Sequence, residues 1–290
     1  MRRDLPGGAA ARQQPAPPAP VSAANSLNGQ WLSLLPHPGG GGSHRLLRGR
    51  YLVSLSFGGY EARVVTAKML ELFRQLGLSA TFFIPGWVAD TYPAMAETIA
   101  RDGHEIGHHG YHHLRPDPGS AFIEDELAQD FAALKRRLGV IPLGYRAPGG
   151  KFCEELRAAL VRHGIVYSSS FRDDVRPYRH RLADGSAGTI ELPVSANFDD
   201  WMLGLSARFS PRSVMAPRDV LGMWRDELDE VAEWGAMLTT VLHPQVSGRP
   251  MRLRLLREFL AHAMARGDVW LATGQQLATH FASATAGDQP

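Results

Sequence analysis

Three observations predict an α/β protein with a parallel sheet. Short apolar β-type runs alternate with longer amphipathic runs along most of the chain. The length of 290 residues with 44% hydrophobic content suits one large domain of barrel size. Histidine- and arginine-bearing motifs fall at or just past the ends of the β-type runs, and in barrel enzymes that rim is where chemistry collects.

In chain order, residues 1–20 are rich in Pro, Ala, Gly and Gln without periodicity and read as a disordered tail. Residues 52–57 read as a strand. Ahead of it His37 and His44 flank a glycine-rich loop, which reads as solvated but is flexible enough to swing an imidazole inward. Residues 61–76 place Val64, Val65, Met69, Leu72, Phe73 and Leu76 at helical spacing, so an amphipathic helix is expected there. Residues 80–84, 142–146 and 237–242 read as strands. Cys153 follows Gly149-Gly150-Lys151-Phe152 at a helix start; that turn could offer amides to an anion, but it lacks phosphate-loop spacing and reads as structural. Residues 172–181 read as a surface hairpin or rim loop, and 253–265 as an amphipathic helix after the Gly248-Arg249-Pro250 turn. The single domain is expected over 21–283, with a C-terminal tail at 284–290.

Composition narrows the function. A net charge of +2 spread along the chain leaves no nucleic-acid footprint and no membrane patch, so a small-molecule substrate is the expected partner. One cysteine permits no intramolecular disulfide and allows a reducing compartment. No apolar run of export length follows Arg2-Arg3 and no stretch approaches a membrane span, so the cytoplasm is expected.

The densest signal is Gly103-His104-Glu105-Ile106-Gly107-His108-His109-Gly110-Tyr111-His112-His113. His108, His109, His112 and His113 put four imidazoles within six residues. Two histidines four apart can converge on one ion, in the register His109/His113 or His108/His112; the bland alternatives are a His-rich surface turn or satisfied core histidines.

Read with Ala80-Thr81-Phe82-Phe83-Ile84-Pro85-Gly86, Gly144-Tyr145-Arg146-Ala147-Pro148 and Leu242-His243-Pro244-Gln245, the cluster resembles the polysaccharide deacetylase superfamily. The resemblance is to its allantoinase-like, cyclic-imidase-like and peptidoglycan-deacetylase-like branch. It implies a distorted, incomplete (β/α) barrel, in which an aspartate and two histidines hold a divalent metal, zinc above all, whose water attacks an acyl or amide carbonyl. It also implies a second aspartate as base, an arginine orienting it, and a late histidine protonating the leaving group. His109 and His113 match the metal histidines, Arg146 the arginine and His243 the acid. Tyr111 and the Asp199-Asp200-Trp201 loop match positions near the substrate; the two aspartates read equally well as a helix cap and turn.

The chain departs from that pattern at the first motif. No carboxylate lies between Asp4 and Glu61. The best match, Asn25-Ser26-Leu27-Asn28-Gly29-Gln30-Trp31, puts Ser26 at the base position and Asn28 at the metal position; the rival match puts Gly58 and Gly59 there, so the resemblance implies a first strand in either 21–30 or 52–59. Asn28 can offer a carbonyl oxygen but no charge, and neither residue is a useful base near neutrality. Three functions follow from this sequence: a divergent hydrolase of a non-peptide C–N bond, a binding protein that has lost catalysis, or a repurposed lyase, isomerase or cyclase.

Overall fold

The structure, a computed structural model, describes the backbone of residues 21–28 together with residues 59–204 and 213–286. The tail at 1–20, His37, His44, and the strand expected within 52–57 lie outside the described residues. Among the described residues nine strands form one sheet: β1 (Val21–Asn28), β2 (Thr81–Ile84), β3 (Glu105–His108), β4 (Gly144–Tyr145), β5 (Tyr167–Ser168), β6 (Tyr178–Arg181), β7 (Ala187–Glu191), β8 (Met237–Leu242) and β9 (Val269–Ala272). Their order is β6-β7-β5-β4-β3-β2-β1-β8, with β9 also on β1, and every pairing is parallel except the β6–β7 hairpin. Thus the segment 21–28, not an apolar run, is the strand placed between β2 and β8. Its register sets Ser26 beside Thr81 and Val241, and Asn28 beside Phe83.

The sheet curls without closing into a full ladder. Across the gap between β7 and β8 a single parallel bridge joins Asp199 to Val241, two residues before His243. The loop after β7 is thereby pinned to the end of β8, which brings three candidate residues to one point of the rim.

Helices cover the outside: α1 (Thr66–Leu76), α2 (Gly86–Thr91), α3 (Pro93–Arg101), α4 (Ile123–Leu138), α5 (Glu154–Arg162), α6 (Asp200–Gly204), α7 (Pro217–Glu233), α8 (Pro244–Ser247), α9 (Pro250–Arg266) and α10 (Gly274–Ala284). None of the described helices is long and apolar enough to cross a membrane. Local sequence accounts for the ends. α4 carries Glu124, Asp125 and Glu126 in its first turn and Lys135, Arg136 and Arg137 in its last, each complementing the helix dipole, and stops at left-handed Gly139. α10 starts on a reciprocal cap between Thr273 and Gln276. Strand β2 is buried throughout, as a parallel strand covered on both faces should be.

Two expected elements differ in detail. The run 61–76 is not one α-helix: Glu61–Val65 is a π-helical turn, where consecutive β-branched Val64, Val65 and Thr66 crowd the backbone, and Val64 faces solvent. The strand expected over 142–146 shrinks to two residues, since Pro142 has no amide to give a ladder. The main core joins Phe73, Phe82, Trp224, Leu256 and Phe259 between α1, α7, α9 and the sheet. Tyr167 plugs the barrel interior; its ring occupies the space that a Cβ on Gly144 or Gly274 would need.

Candidate active site at the strand rim

The histidine run turns over the end of β3, and α4 holds it from behind. Asp130 accepts the backbone amide of His109 at 3.1 Å and lies 2.9 Å from Nδ1 of His108, whose Nε2 faces the Leu127 carbonyl at 3.1 Å. Glu126 accepts the amide of His112 at 2.8 Å and meets its Nδ1 at 2.8 Å. His108 and His112 are therefore spent on holding the loop, which leaves His109 and His113 as the pair that converges. His113 adopts a left-handed backbone (φ 59°), a conformation that costs energy for a residue with a side chain and here turns its ring back onto His109. The two ring centroids are 4.7 Å apart.

His109 is completely buried, and its Nδ1 lies 2.8 Å from the Arg146 carbonyl. A carbonyl only accepts, so Nδ1 carries the proton and Nε2 presents its lone pair. Among the described residues that Nε2 has no hydrogen-bond partner. Burial, then the neighbouring His113, pushes its pKa well below the usual imidazole value, so the ring is neutral. A neutral imidazole with an oriented, unspent nitrogen beside a second histidine fits a divalent metal. The expected third ligand, Asn28, is placed only in backbone.

Arg146 follows β4 and is buried. Its Nε donates to the Ser169 carbonyl (2.7 Å), its Nη2 to Ser169 Oγ (2.6 Å), and its guanidinium lies 4.6 Å from the Phe83 ring centroid. Burial lowers its pKa to about 10, against the opposing influence of Tyr167, Asp199 and Glu191, so it stays charged near neutrality.

His243 follows β8 and is also completely buried. Asp200 receives its backbone amide (2.9 Å to Oδ2), its Nδ1–H (2.6 Å to Oδ1) and the hydroxyl of Ser247. Burial alone disfavours the His243 cation, but the charge and hydrogen bond of Asp200, with help from Asp199, outweigh it and raise the pKa. Trp201 packs edge-on at 5.3 Å. Asp199 accepts the Trp201 amide at 3.0 Å, lies 3.5 Å from His243 Nδ1, and has its pKa raised by burial first and Asp200 second among the raising influences.

Asp199, Asp200 and His243 also stand close enough to share an ion. Their bonding argues otherwise: the Asp200 oxygens already hold His243 and Ser247, and an ion would have to displace the Nδ1 proton.

A cleft of about 140 Å³ opens beside these groups, lined by Arg146, Ser169, Ser170, Ser195, Asp199 and Met202 among others. Of the substrate contacts expected from sequence, Asp199 lines it. Asp200 is not among the lining residues; it is buried and accepts the amide and Nδ1–H of His243. The Tyr111 hydroxyl is likewise directed elsewhere, donating to Asp90 at 3.0 Å. Ser26 sits at the rim in backbone register only.

Sequence reading missed four groups that matter. Ser169 and Ser170 follow β5, and their serine-rich run Ser168-Ser169-Ser170 is the only local hint. Glu126 and Asp130 were legible in principle: they fall four residues apart on the face that carries Ile123, Leu127 and Leu134, and carboxylates on an apolar face demand a partner.

A family model described as polysaccharide deacetylase matches residues 49–168. That match includes the rival first-strand segment and starts beyond β1, whereas the sheet register puts 21–28 between β2 and β8. The Helicobacter pylori peptidoglycan deacetylase is 28% identical over 254 residues, covering 78% of this chain and 87% of its own length. A solved structure from Mycobacterium smegmatis, provisionally assigned as a polysaccharide deacetylase, is 30% identical over 96% of both chains with a TM-score of 0.82. An allantoinase structure shares the fold at 21% identity, a TM-score of 0.76, and coverage of 97% of this chain and 98% of its own.

Proposed function

This chain belongs to the polysaccharide deacetylase family, a family of hydrolases, and from that premise we propose that it hydrolyses a non-peptide C–N bond of a small amide, ureide or cyclic imide. The observation that carries the reading is the His243–Asp200–Ser247 unit, in which every oxygen of a buried carboxylate is committed to holding one imidazole and its neighbour. Packing alone does not require this, and a leaving nitrogen does require a proton. With Nδ1 fixed on Asp200, Nε2 is the nitrogen that gains and loses the proton, and the raised pKa keeps the acid form available near neutrality.

His109 and His113 would hold the metal, which when bound supplies an acidified water and polarises the carbonyl. The remaining duties fall to the chain. Arg146, fixed by Ser169 at two points, presents a charged guanidinium where negative charge develops. Asp199 takes the role of the missing first-motif base: it lines the cleft, and burial raises its pKa above the usual carboxylate value, which makes it a stronger base than an exposed aspartate. A cleft of about 140 Å³ favours a small substrate over a long glycan. The cytoplasm belongs to the same proposal, since Cys153 is a buried free thiol that needs no oxidising compartment.

The absence of any carboxylate from 5 to 60 favours a second reading, a binding protein without turnover. Incubating the zinc-supplemented protein with N-acetyl, ureido and cyclic imide compounds in ¹⁸O-water separates the two. Hydrolysis places one ¹⁸O in the carboxyl group released from an N-acetyl or cyclic imide compound, and releases carbamate, and from it carbon dioxide, from a ureido group; no turnover across the panel favours the binding protein, and turnover of the acetyl or imide compounds without label favours a non-hydrolytic reaction.

A further inference from the structure

An exposed cation lines the cleft and, among the described residues, has no anion to pair with. Arg172 lines the cleft beside Gly149 and Gly150, and its side chain is exposed. Among the described residues it makes no ion pair or hydrogen bond, although acids lie next to it in sequence. Those acids are committed: Asp173 accepts the Tyr178 hydroxyl at 2.8 Å, and Asp174 accepts the amides of Val175 and Arg176. The arginine is nevertheless placed rather than loose. Gly150 is left-handed (φ +66°), and a Cβ there would stand 2.9 Å from Arg172 Nη1, so the glycine lets the guanidinium lie across the turn. Inside the cleft Arg146 adds a second guanidinium, and Asp199, at the end nearer His243, is the one carboxylate among the lining residues.

We propose that Arg172, lying across the Gly149-Gly150 turn, receives a carboxylate of the substrate, which makes that substrate a small anionic N-acyl or N-carbamoyl compound. The inference rests on the cleft being the site of hydrolysis. A planar guanidinium matches a carboxylate through two parallel N–H···O bonds, and in a cleft such a pair orients as well as attracts. The substrate then lies with its anion at Arg172, away from the Asp199 carboxylate, and its amide toward His243. A neutral sugar offers this group hydroxyl acceptors but no charge to pair with.

Calorimetric titration of the full chain with N-carbamoylglycine and with its neutral primary amide tests the assignment. The acid is expected to bind about tenfold more tightly than the amide, the size of one charge-assisted hydrogen-bonded contact. Arg172→Gln should erase that preference and leave amide binding unchanged. Arg115→Gln should retain it; Arg115 packs against neighbouring Gly149 but does not line the cleft. Equal binding of the two probes, no binding of either, a preference that survives Arg172→Gln, or one lost equally in Arg115→Gln overturns the proposal. Because the readout is binding, a protein that prefers the acid but turns nothing over defeats the hydrolase reading alone. One that hydrolyses neutral amides without preferring the acid defeats this inference alone.

Discussion

His109 and His243 are both completely buried imidazoles just past the ends of parallel strands, yet their surroundings push them in opposite directions. Nδ1 of His109 meets a carbonyl, Nδ1 of His243 a carboxylate. Burial dominates the first and keeps it neutral, whereas Asp200 overrides burial at the second and favours its cation. In the proposed mechanism the first ring serves as a ligand and the second as an acid. The difference lies in a single partner atom, not in residue type or depth, and it explains how one rim can assign two chemistries to the same side chain.

The largest effect that can break this comparison is removal of the acid. His243→Ala should lower kcat by about 100-fold or more on any hydrolysed amide, within the usual range for a general acid, while leaving zinc affinity in place. A normal kcat would remove His243 from the chemistry. On the ligand side, Asp130→Ala should cost about 2–3 kcal/mol in denaturant unfolding, because it strips the buried His109 amide and His108 of their acceptor. A loss under about 0.5 kcal/mol would show that the histidine loop holds itself.

Restoring the family acids sharpens the comparison from the other strand. With β1 at 21–28, the Ser26→Asp/Asn28→Asp double variant should raise zinc affinity by about tenfold or more, since a carboxylate brings the charge that Asn28 lacks. No gain would instead favour 52–59 as the first motif. The smallest effect is a shift in pH. The raised His243 pKa keeps the acid form present above pH about 6.5, so the basic limb of the kcat profile should lie above that value and move down toward it in Asp200→Asn. The sign for folding is the same: the stabilising His243–Asp200 interaction is fully present below the unfolded imidazole pKa and fades as pH rises through the raised folded value.

Much of the frame was legible in the residues. Met237–Leu242 reads as a strand because it is an unbroken apolar and β-branched run, and 253–265 reads as an amphipathic helix after the Gly248-Arg249-Pro250 turn, within the observed helix Pro250–Arg266. Strand β1 was ambiguous for a physical reason: Val21–Asn28 is mostly small and polar, and its strand character comes from neighbours on both edges rather than from its own propensity. The site was legible in its motifs but not in its division of labour. Asp199 and Asp200 read as one acidic pair; the bridge to Val241 separates them, leaving one in the cleft and burying the other under His243. Nor does sequence order reveal that α4 supplies the two carboxylates that hold the histidine loop, because that contact depends on how the helix packs against β3.

Zinc titration of the wild-type chain beside His109→Ala and His243→Ala tests the division most directly. The account predicts near-stoichiometric zinc in the wild type and in His243→Ala, and its loss in His109→Ala, with affinity falling by more than the roughly 100-fold that a supporting residue can cost. Zinc that survives His109→Ala but disappears in His243→Ala would contradict it, placing the ion on Asp199, Asp200 and His243 and making the acid a ligand.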